Sequence, residues 1–350
     1  MYTVRVADLS SLLSIDGAPG FLPPLKTTGA RSSASNPESD LNAALRFPRG
    51  PCSFKSSLFP PKEVVARYPR PAEQEPDEVA PSGSSPSRLV NVRACELRAM
   101  TYLDRVFGHE PVGDPFYQKR RQAHVVISVD CAEPHPTCFC TLVDGKPYAE
   151  EGFDVNLTPI EGAYVVEAGS PAGEALLETR RQILREATEA DVAARRAVRE
   201  QAIERLRAIN AAHADAAPFG PMNGDFDAHA GVTRFGATCV ECGACTQICP
   251  TCHCFYLVDH QTDKDRFHRL RAWDSCMWKG YSQMAGGERM KPNPRSQFRT
   301  RFANRFQHKY VWSPQQWDML GCVGCGRCVE ACPGRIDIRE VLGEVSAWSR

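Results

Sequence analysis

Two stretches of the chain repeat one spacing of thiols: Cys239, Cys242, Cys245 and Cys249 ahead of Pro250, and Cys322, Cys325, Cys328 and Cys332 ahead of Pro333. Each reads C-x2-C-x2-C-x3-C-P, a run in which three thiolates from one loop cap a face of an iron-sulfur cubane and the fourth reaches a second cubane. The spacing therefore predicts two [4Fe-4S] clusters with crossed ligation. Cys239, Cys242, Cys245 and Cys332 take the first, and Cys322, Cys325, Cys328 and Cys249 take the second. Gly243, Ala244, Gly324 and Gly326 are small enough to let backbone N–H groups approach the sulfurs and help set their potential. A zinc ribbon is also built from paired C-x2-C, but zinc needs four ligands and has no use for eight in two like runs.

A second group of thiols lies upstream. Cys95 follows the apolar run RLVNVRA, Cys131 follows HVVISVD, and between them ELRAMTYLDRVF places Leu97, Met100, Leu103 and Phe107 on one helical face. This pattern predicts a β-α-β unit. In a right-handed unit with neighbouring strands both cysteines emerge at one carboxyl edge, where α/β sheets hold ligands. The loop DCAEPHPTCFC adds Cys138 and Cys140, giving four thiols for a third cluster. Buried free cysteines, or zinc on the same four ligands, are the alternatives. Iron-sulfur is favoured over zinc because two clusters already make an electron path.

PTCFCTLVD at 136–144 recurs as PTCHCFYLVD at 250–259, which adds Cys252 and Cys254 to the first ferredoxin run. The nearest remaining thiol is Cys276 in RAWDSC; Cys52 is distant, and His253 or His268 are possible substitutes. Three thiols are an incomplete cubane set. Cys252, Cys254 and Cys276 are thus either an extra metal site with a non-cysteine fourth ligand, or thiols packed beside the neighbouring cluster and donating weak S–H bonds to it.

The elements that must position these groups are legible in outline. After the β-α-β unit, FDVNLTPI and AYVVEAG around Glu161-Gly162 read as a hairpin closing the sheet. Residues 172–220 are rich in Ala, Glu, Arg and Leu and predict one long helix or two in tandem, a solvated amphipathic connector. PFGPMNGDF marks the boundary before a ferredoxin-like module at 237–345, whose two runs are separated by an insertion of 71 residues between Pro250 and Cys322. Residues 1–87, with TTGARSSASNPESD and PRPAEQEPDEVAPSGSSPS, read as largely irregular, apart from a short docked element near 58–68 that starts as a helix at SLFPPKEVVARY. The expected fold class is α+β: an α/β-type domain over 88–171, a helical connector, and a two-cluster bacterial-ferredoxin-like module with a long insertion.

Forty-two basic residues balance 42 acidic ones, so no global field favours nucleic acid or an anionic membrane. Locally, Lys264 to His308 is basic, with Arg266, Arg269, Arg271, Arg289, Arg295, Arg299, Arg301 and Arg305 facing few acids in sequence. Those arginines suit anionic thiolate clusters or an acidic partner better than a nucleic-acid groove. No membrane span or cleaved leader is evident, and 16 cysteines grouped as C-x2-C and C-x-C suit metal ligation in a reducing cytoplasm rather than a disulfide framework.

GRCVEACP, PTCHCF, RAWDSC, HKY, RACELRAMTYLDRVF, DPFYQKRR and PTCFC together resemble the beta subunits of soluble sulfhydrogenase-type NiFe hydrogenases and the A subunits of anaerobic sulfite reductases. The resemblance runs from about Pro51 through Ile338. It implies an iron-sulfur subunit passing electrons between a flavin subunit that meets NAD(P)H and a catalytic subunit, and only the quoted cysteines inherit a role. One departure is Asn91-Val92-Arg93-Ala94-Cys95-Glu96, where that family usually opens with Gly and often has Pro before the Cys and Asp after it.

No G-x-G-x-x-G fingerprint and no His, Ser or carboxylate constellation stands beside the metal ligands, so the chain reads as a non-catalytic electron conduit. The rival reading makes it a reductase of a small sulfur substrate or oxyanion, with an open cluster at Cys252, Cys254 and Cys276. A zinc-dependent nucleic-acid binder is a third.

Overall fold

The computed structural model describes residues 1–13, 37–46, 53–69, 79–81, 83, 86–109, 111, 113–216, 218–223, 226–264, 266–284 and 293–348. Cys52, Arg289 and most of the two Ser- and Pro-rich stretches lie outside them. Among the described residues nine strands are formed: β1 (Tyr2–Arg5), β2 (Lys62–Pro69), β3 (Ser87–Val92), β4 (His124–Val129), β5 (Val155–Ile160), β6 (Ala163–Ala168), β7 (Arg185–Glu186), β8 (Phe255–Asp263) and β9 (Arg266–Trp273).

Six of them build one mixed sheet in the order β3-β4-β5-β6-β1-β7. The β-α-β unit is present: β3 and β4 are parallel neighbours, with the helix Ala94–Phe107 between them in sequence. A second helix, Pro115–Ala123, is capped by the Asp114 carboxylate and precedes β4. The expected hairpin is β5-β6, turning at Gly162 with φ +68°. β5 is also parallel to β4, so the 25-residue stretch 130–154 that carries Cys131, Cys138 and Cys140 is a crossover connection.

One face of the sheet buries Leu89, Val92 and Val126 against Leu97, Met100 and Leu103 of the helix Ala94–Phe107. The other buries Val90, Ile127, Val155, Leu157 and Val166 with Val4, Leu9 and Leu12. The alternation follows the period of two along each strand, shifted in β3 by the irregularity at Asn91 that returns Val92 to the face of Leu89.

Three expectations change. Residues 2–5 are a strand paired with both β6 and β7, because TVR offers extended backbone and buries Val4 between them. The element near 58–68 is docked, but beyond the one-turn helix Lys55–Leu58 it is a strand: β2 pairs antiparallel with β9 in a three-stranded sheet ordered β2-β9-β8. The β-branched Val64-Val65 fit that strand better than a helix. The connector consists of Pro171–Glu178 and Glu189–Ile209, and the longer helix is not merely solvated. Its Arg199 Nε donates to Asp130 Oδ2 over 2.8 Å, and its Leu206 is fully buried.

In the insertion the strongly basic stretch is mostly paired internally. Arg269 holds Asp259, Arg271 bridges buried Glu63 and Asp114, Arg299 meets Asp227, and Arg301 meets Glu241. The few acids it faces in sequence are supplied by other parts of the chain. The helix Phe298–Gln307 runs through one π turn, His308–Trp312, into Ser313–Trp317, and its Phe302 and Phe306 join Met277, Val341 and Val345 in the core of the ferredoxin module.

Candidate metal centres

The two ferredoxin loops have like backbones. Gly243 and Gly326 both take left-handed φ, +73° and +71°, and each opens a one-turn helix, Ala244–Gln247 or Arg327–Glu330. That turn fans three cysteines of each run around one concavity. The fourth cysteine of each run lines the other run's cavity. One cavity is lined by Cys239, Cys242, Cys245 and Cys332, and a second by Cys322, Cys325, Cys328 and Cys249.

A third cavity is lined by Cys95, Cys131, Cys138 and Cys140. Cys95 stands on the first turn of the helix after β3, and Cys131 two residues past β4, so the parallel register brings both to one carboxyl edge. Asp130 fixes that edge: it accepts from Asn156 Nδ2 at 3.1 Å, Thr158 Oγ1 at 2.6 Å and Arg199, while Arg93 Nη1 reaches its carbonyl at 2.9 Å. Asn210, just past the connector helix, donates to the Cys138 carbonyl at 2.9 Å, and Leu206 forms part of the cavity wall. At the departure Asn91 to Glu96, Asn91 has φ +66°, a left-handed position suited to glycine and tolerated by asparagine. Glu96 caps the Arg93 N–H at 3.1 Å and pairs with Arg327 at 2.8 Å, so the longer acid is used in joining the modules.

The three cavities are contiguous. Cys328, Arg305 and Ile338 belong to the walls of both ferredoxin cavities, and Cys325 to the walls of the second and third. The contact with the N-terminal domain is backbone against backbone. A Cβ on Gly324 would lie 2.5 Å from Cys140 Cα, and one on Gly326 would lie 2.1 Å from the Thr137 carbonyl oxygen.

The side chains suit polynuclear thiolate centres. Burial pushes the Cys95 thiol well up and Cys131 and Cys140 up at the third cavity, and takes Cys328 up to about 12 at the second, so such neighbouring thiols ionise together only around a cationic centre. Arg305, 6% exposed, lines both ferredoxin cavities with Nε and Nη2 lacking a hydrogen-bond partner among the described residues. A cluster's sulfurs would supply those acceptors. Among the described residues no group of three or more His, Cys, Asp or Glu is set to hold a metal ion, and none of the described cysteines is in a disulfide.

Cys252, Cys254 and Cys276 fall into two separate pairs. Cys252 donates a hydrogen bond to Cys249, which with the Lys309 ammonium behind it holds Cys249 well below its ordinary value. Cys254, brought down to about 6, accepts from Cys276 and from Tyr281. His253 stacks among Tyr102, Phe107 and His308, and His268 lies on β9 opposite His260.

Sequence reading missed the buried cations Lys55, Lys309 and Arg327. Lys55 Nζ donates to the carbonyls of Gln247 (3.0 Å) and Cys252 (3.2 Å) and lies 3.9 Å over Trp273. Lysine is ordinarily exposed, so nothing in SFKSSLF marks it. The four-residue recurrence of Arg301, Arg305 and Lys309 beside Phe302, Phe306 and Tyr310 was the available signal.

Residues 238–336 match the family of 4Fe-4S dicluster domains. The chain is 29% identical over 295 residues to sulfhydrogenase 2 subunit beta of Pyrococcus furiosus, an alignment covering 83% of this chain and 84% of that protein. The similarity bears out the resemblance drawn from the motifs. Among the described residues no helix is long and apolar enough to cross a membrane.

Proposed function

We propose, from the premise that this chain is an iron-sulfur oxidoreductase subunit homologous to a sulfhydrogenase beta subunit, that it is a three-cluster electron wire. The first [4Fe-4S] sits on Cys239, Cys242, Cys245 and Cys332, the second on Cys322, Cys325, Cys328 and Cys249, and the third on Cys95, Cys131, Cys138 and Cys140. What carries this reading is the run of three four-thiol cavities joined by shared walls at Cys328 and Cys325.

The middle site is the most enclosed, with Cys249, Cys322 and Cys325 buried, whereas Cys242 at the first site is exposed and Cys95, Cys131 and Cys138 at the third are half-buried. Electrons therefore enter at one end and leave at the other. One partner is a flavin subunit that oxidises NAD(P)H and the other a catalytic subunit of hydrogenase or sulfite reductase type, and the complex works in the reducing cytoplasm. The chain supplies thiolates, buried cations and close backbone; the clusters, when bound, supply one-electron redox chemistry.

The test is anaerobic iron and acid-labile sulfide analysis with EPR of the dithionite-reduced chain. About twelve irons per chain supports the three-cluster wire, and about eight confines it to the ferredoxin module. Stoichiometric zinc without iron overturns it. Co-purification of untagged subunits with the tagged chain identifies its partners.

A further inference from the structure

Lys309 is fully enclosed, 4% exposed, in the π turn that follows the helix Phe298–Gln307. A π turn inserts a residue into the helical repeat and is often found where a side chain must be re-aimed. Here Nζ donates to three acceptors: Cys249 Sγ at 3.3 Å, Thr251 Oγ1 at 3.0 Å and the Gly321 carbonyl at 2.7 Å. Three acceptors match the three N–H groups of an ammonium, and none is a carboxylate that would cancel its charge.

The acceptors also tie down both ends of one site. Cys249 is the thiol that crosses from the first run, and Gly321 immediately precedes Cys322 of the second. Thr251 Oγ1 lies 3.1 Å from Cys249 Sγ and donates to the same Gly321 carbonyl at 2.6 Å. Three further buried cations lie close to this cavity: Arg305 in its wall, Arg327 beside Cys325 and paired with Glu96, and Lys55 near Cys249. Among the described residues the exposed first site has only Arg305 as a cation in its wall, shared with the second, while the third has Lys146, exposed and paired with Glu150, and the carboxylates Asp130 and Glu96 lie with Arg93 near its Cys131.

We propose that Lys309 sets the potential of the second cluster, making it the most readily reduced of the three, an electron well at the centre of the wire. This rests on the cluster assignment above. Reduction adds one electron and no proton to the cluster, the electron coming from a neighbouring cluster. The added negative charge sits in a low-dielectric interior against a fixed ammonium bonded to a ligand sulfur, so the reduced form is favoured. A well between two ends lets the wire hold one electron of a two-electron donor while the other moves on.

The experiment is an EPR-monitored redox titration of the full chain, anaerobic and fully loaded, as wild type, Lys309→Gln and Lys309→Arg. The Gln variant keeps a donor and drops the charge; the Arg variant keeps the charge. The expected result is that the highest-potential transition of the wild type falls in Lys309→Gln by at least tenfold in its reduction equilibrium, about 59 mV for one electron. The other transitions stay in place and Lys309→Arg retains most of the wild-type value. Unmoved potentials in Lys309→Gln at wild-type iron content overturn the role of Lys309 and leave the cluster assignment standing. So does loss of about four irons in Lys309→Gln but not in Lys309→Arg, which would make the residue a structural clamp. Fewer than about eight irons in the wild type overturns the cluster assignment itself.

Discussion

The Phe139 N–H donates to the Gly324 carbonyl over 2.7 Å, a backbone bond that crosses from the N-terminal sheet domain to the second ferredoxin loop. It sits between the third site, bounded by Cys138 and Cys140, and the second, bounded by Cys322 and Cys325. The two modules are therefore joined at the walls of two cysteine-lined cavities, and Val323 and Cys325 complete the core that begins at Leu97 and Leu103.

Because the joint is backbone on backbone, Gly324→Ala is expected to loosen it. At φ +65° an added Cβ meets Cys140 Cα at 2.5 Å, and backbone cannot rotate away. The left-handed conformation costs about 1–2 kcal/mol and the overpacking about 1–3 kcal/mol more. Gly162→Ala, at φ +68° with nothing within 4 Å, is the control and should show only the first of these. Thermal unfolding of the two variants checks the difference.

How much of this was legible in sequence depends on whether the constraint was local. The eight ferredoxin cysteines were, because loop geometry and ligand crossing are encoded in a spacing of a few residues. Cys95 and Cys131 could be placed from the parallel β-α-β unit, since topology fixes which edge both strands point to. Pro60-Pro61 misled by suggesting a helix start, because the strand that pairs with Val64, β9, lies about 200 residues away in sequence. Arg327 was invisible for a similar reason, its burial being decided by Glu96 from another segment, and Lys309 was signalled only by its four-residue recurrence with Arg301 and Arg305. The surplus Cys252 and Cys254 were noticed, but only the fold shows that alternate side chains of one extended C-x-C serve different neighbours.

That division leads to a prediction for the C-x-C copies. Cys252→Ser and Cys254→Ser, singly or together, should leave iron content unchanged, whereas the double variant Cys138→Ser/Cys140→Ser should lower it by about four irons and leave the ferredoxin-module EPR signals intact. Iron analysis on the same preparations reads both outcomes, and a loss of iron in the Cys252/Cys254 variant would show that the two pairs serve a metal after all.

The buried pair Arg327–Glu96, 3% and 5% exposed in their side chains, should be costly to break from either side. Removing one member strands a desolvated charge, worth about 3–5 kcal/mol. Arg327→Met and Glu96→Gln are each expected to destabilise the chain, and the double variant to recover part of the loss. A double-mutant cycle by denaturant unfolding of the loaded protein measures it.

A similar pair of charges anchors the insertion to the N-terminal domain, with a different consequence. Glu63 on β2 receives Arg120 from one side and Arg271 of β9 from the other, and Arg271 also reaches Asp114, the cap of the helix Pro115–Ala123. Glu63→Gln removes the carboxylate that joins the buried Arg120 and Arg271 guanidinium groups and leaves Asp114 as the acid paired with Arg271, so both the β2-β9 pairing and the helix cap lose support. The expected outcome is destabilisation of about 3–5 kcal/mol, with faster proteolysis of β2 and the β8-β9 hairpin. The cavity lined by Cys249 and Cys322, by contrast, is braced by Lys309 in the π turn, whose hydrogen bonds go to Cys249, Thr251 and the Gly321 carbonyl. Limited proteolysis together with iron retention separates the two effects: cleavage should concentrate in residues 53–69 and 255–273 while the ferredoxin-module EPR signals persist.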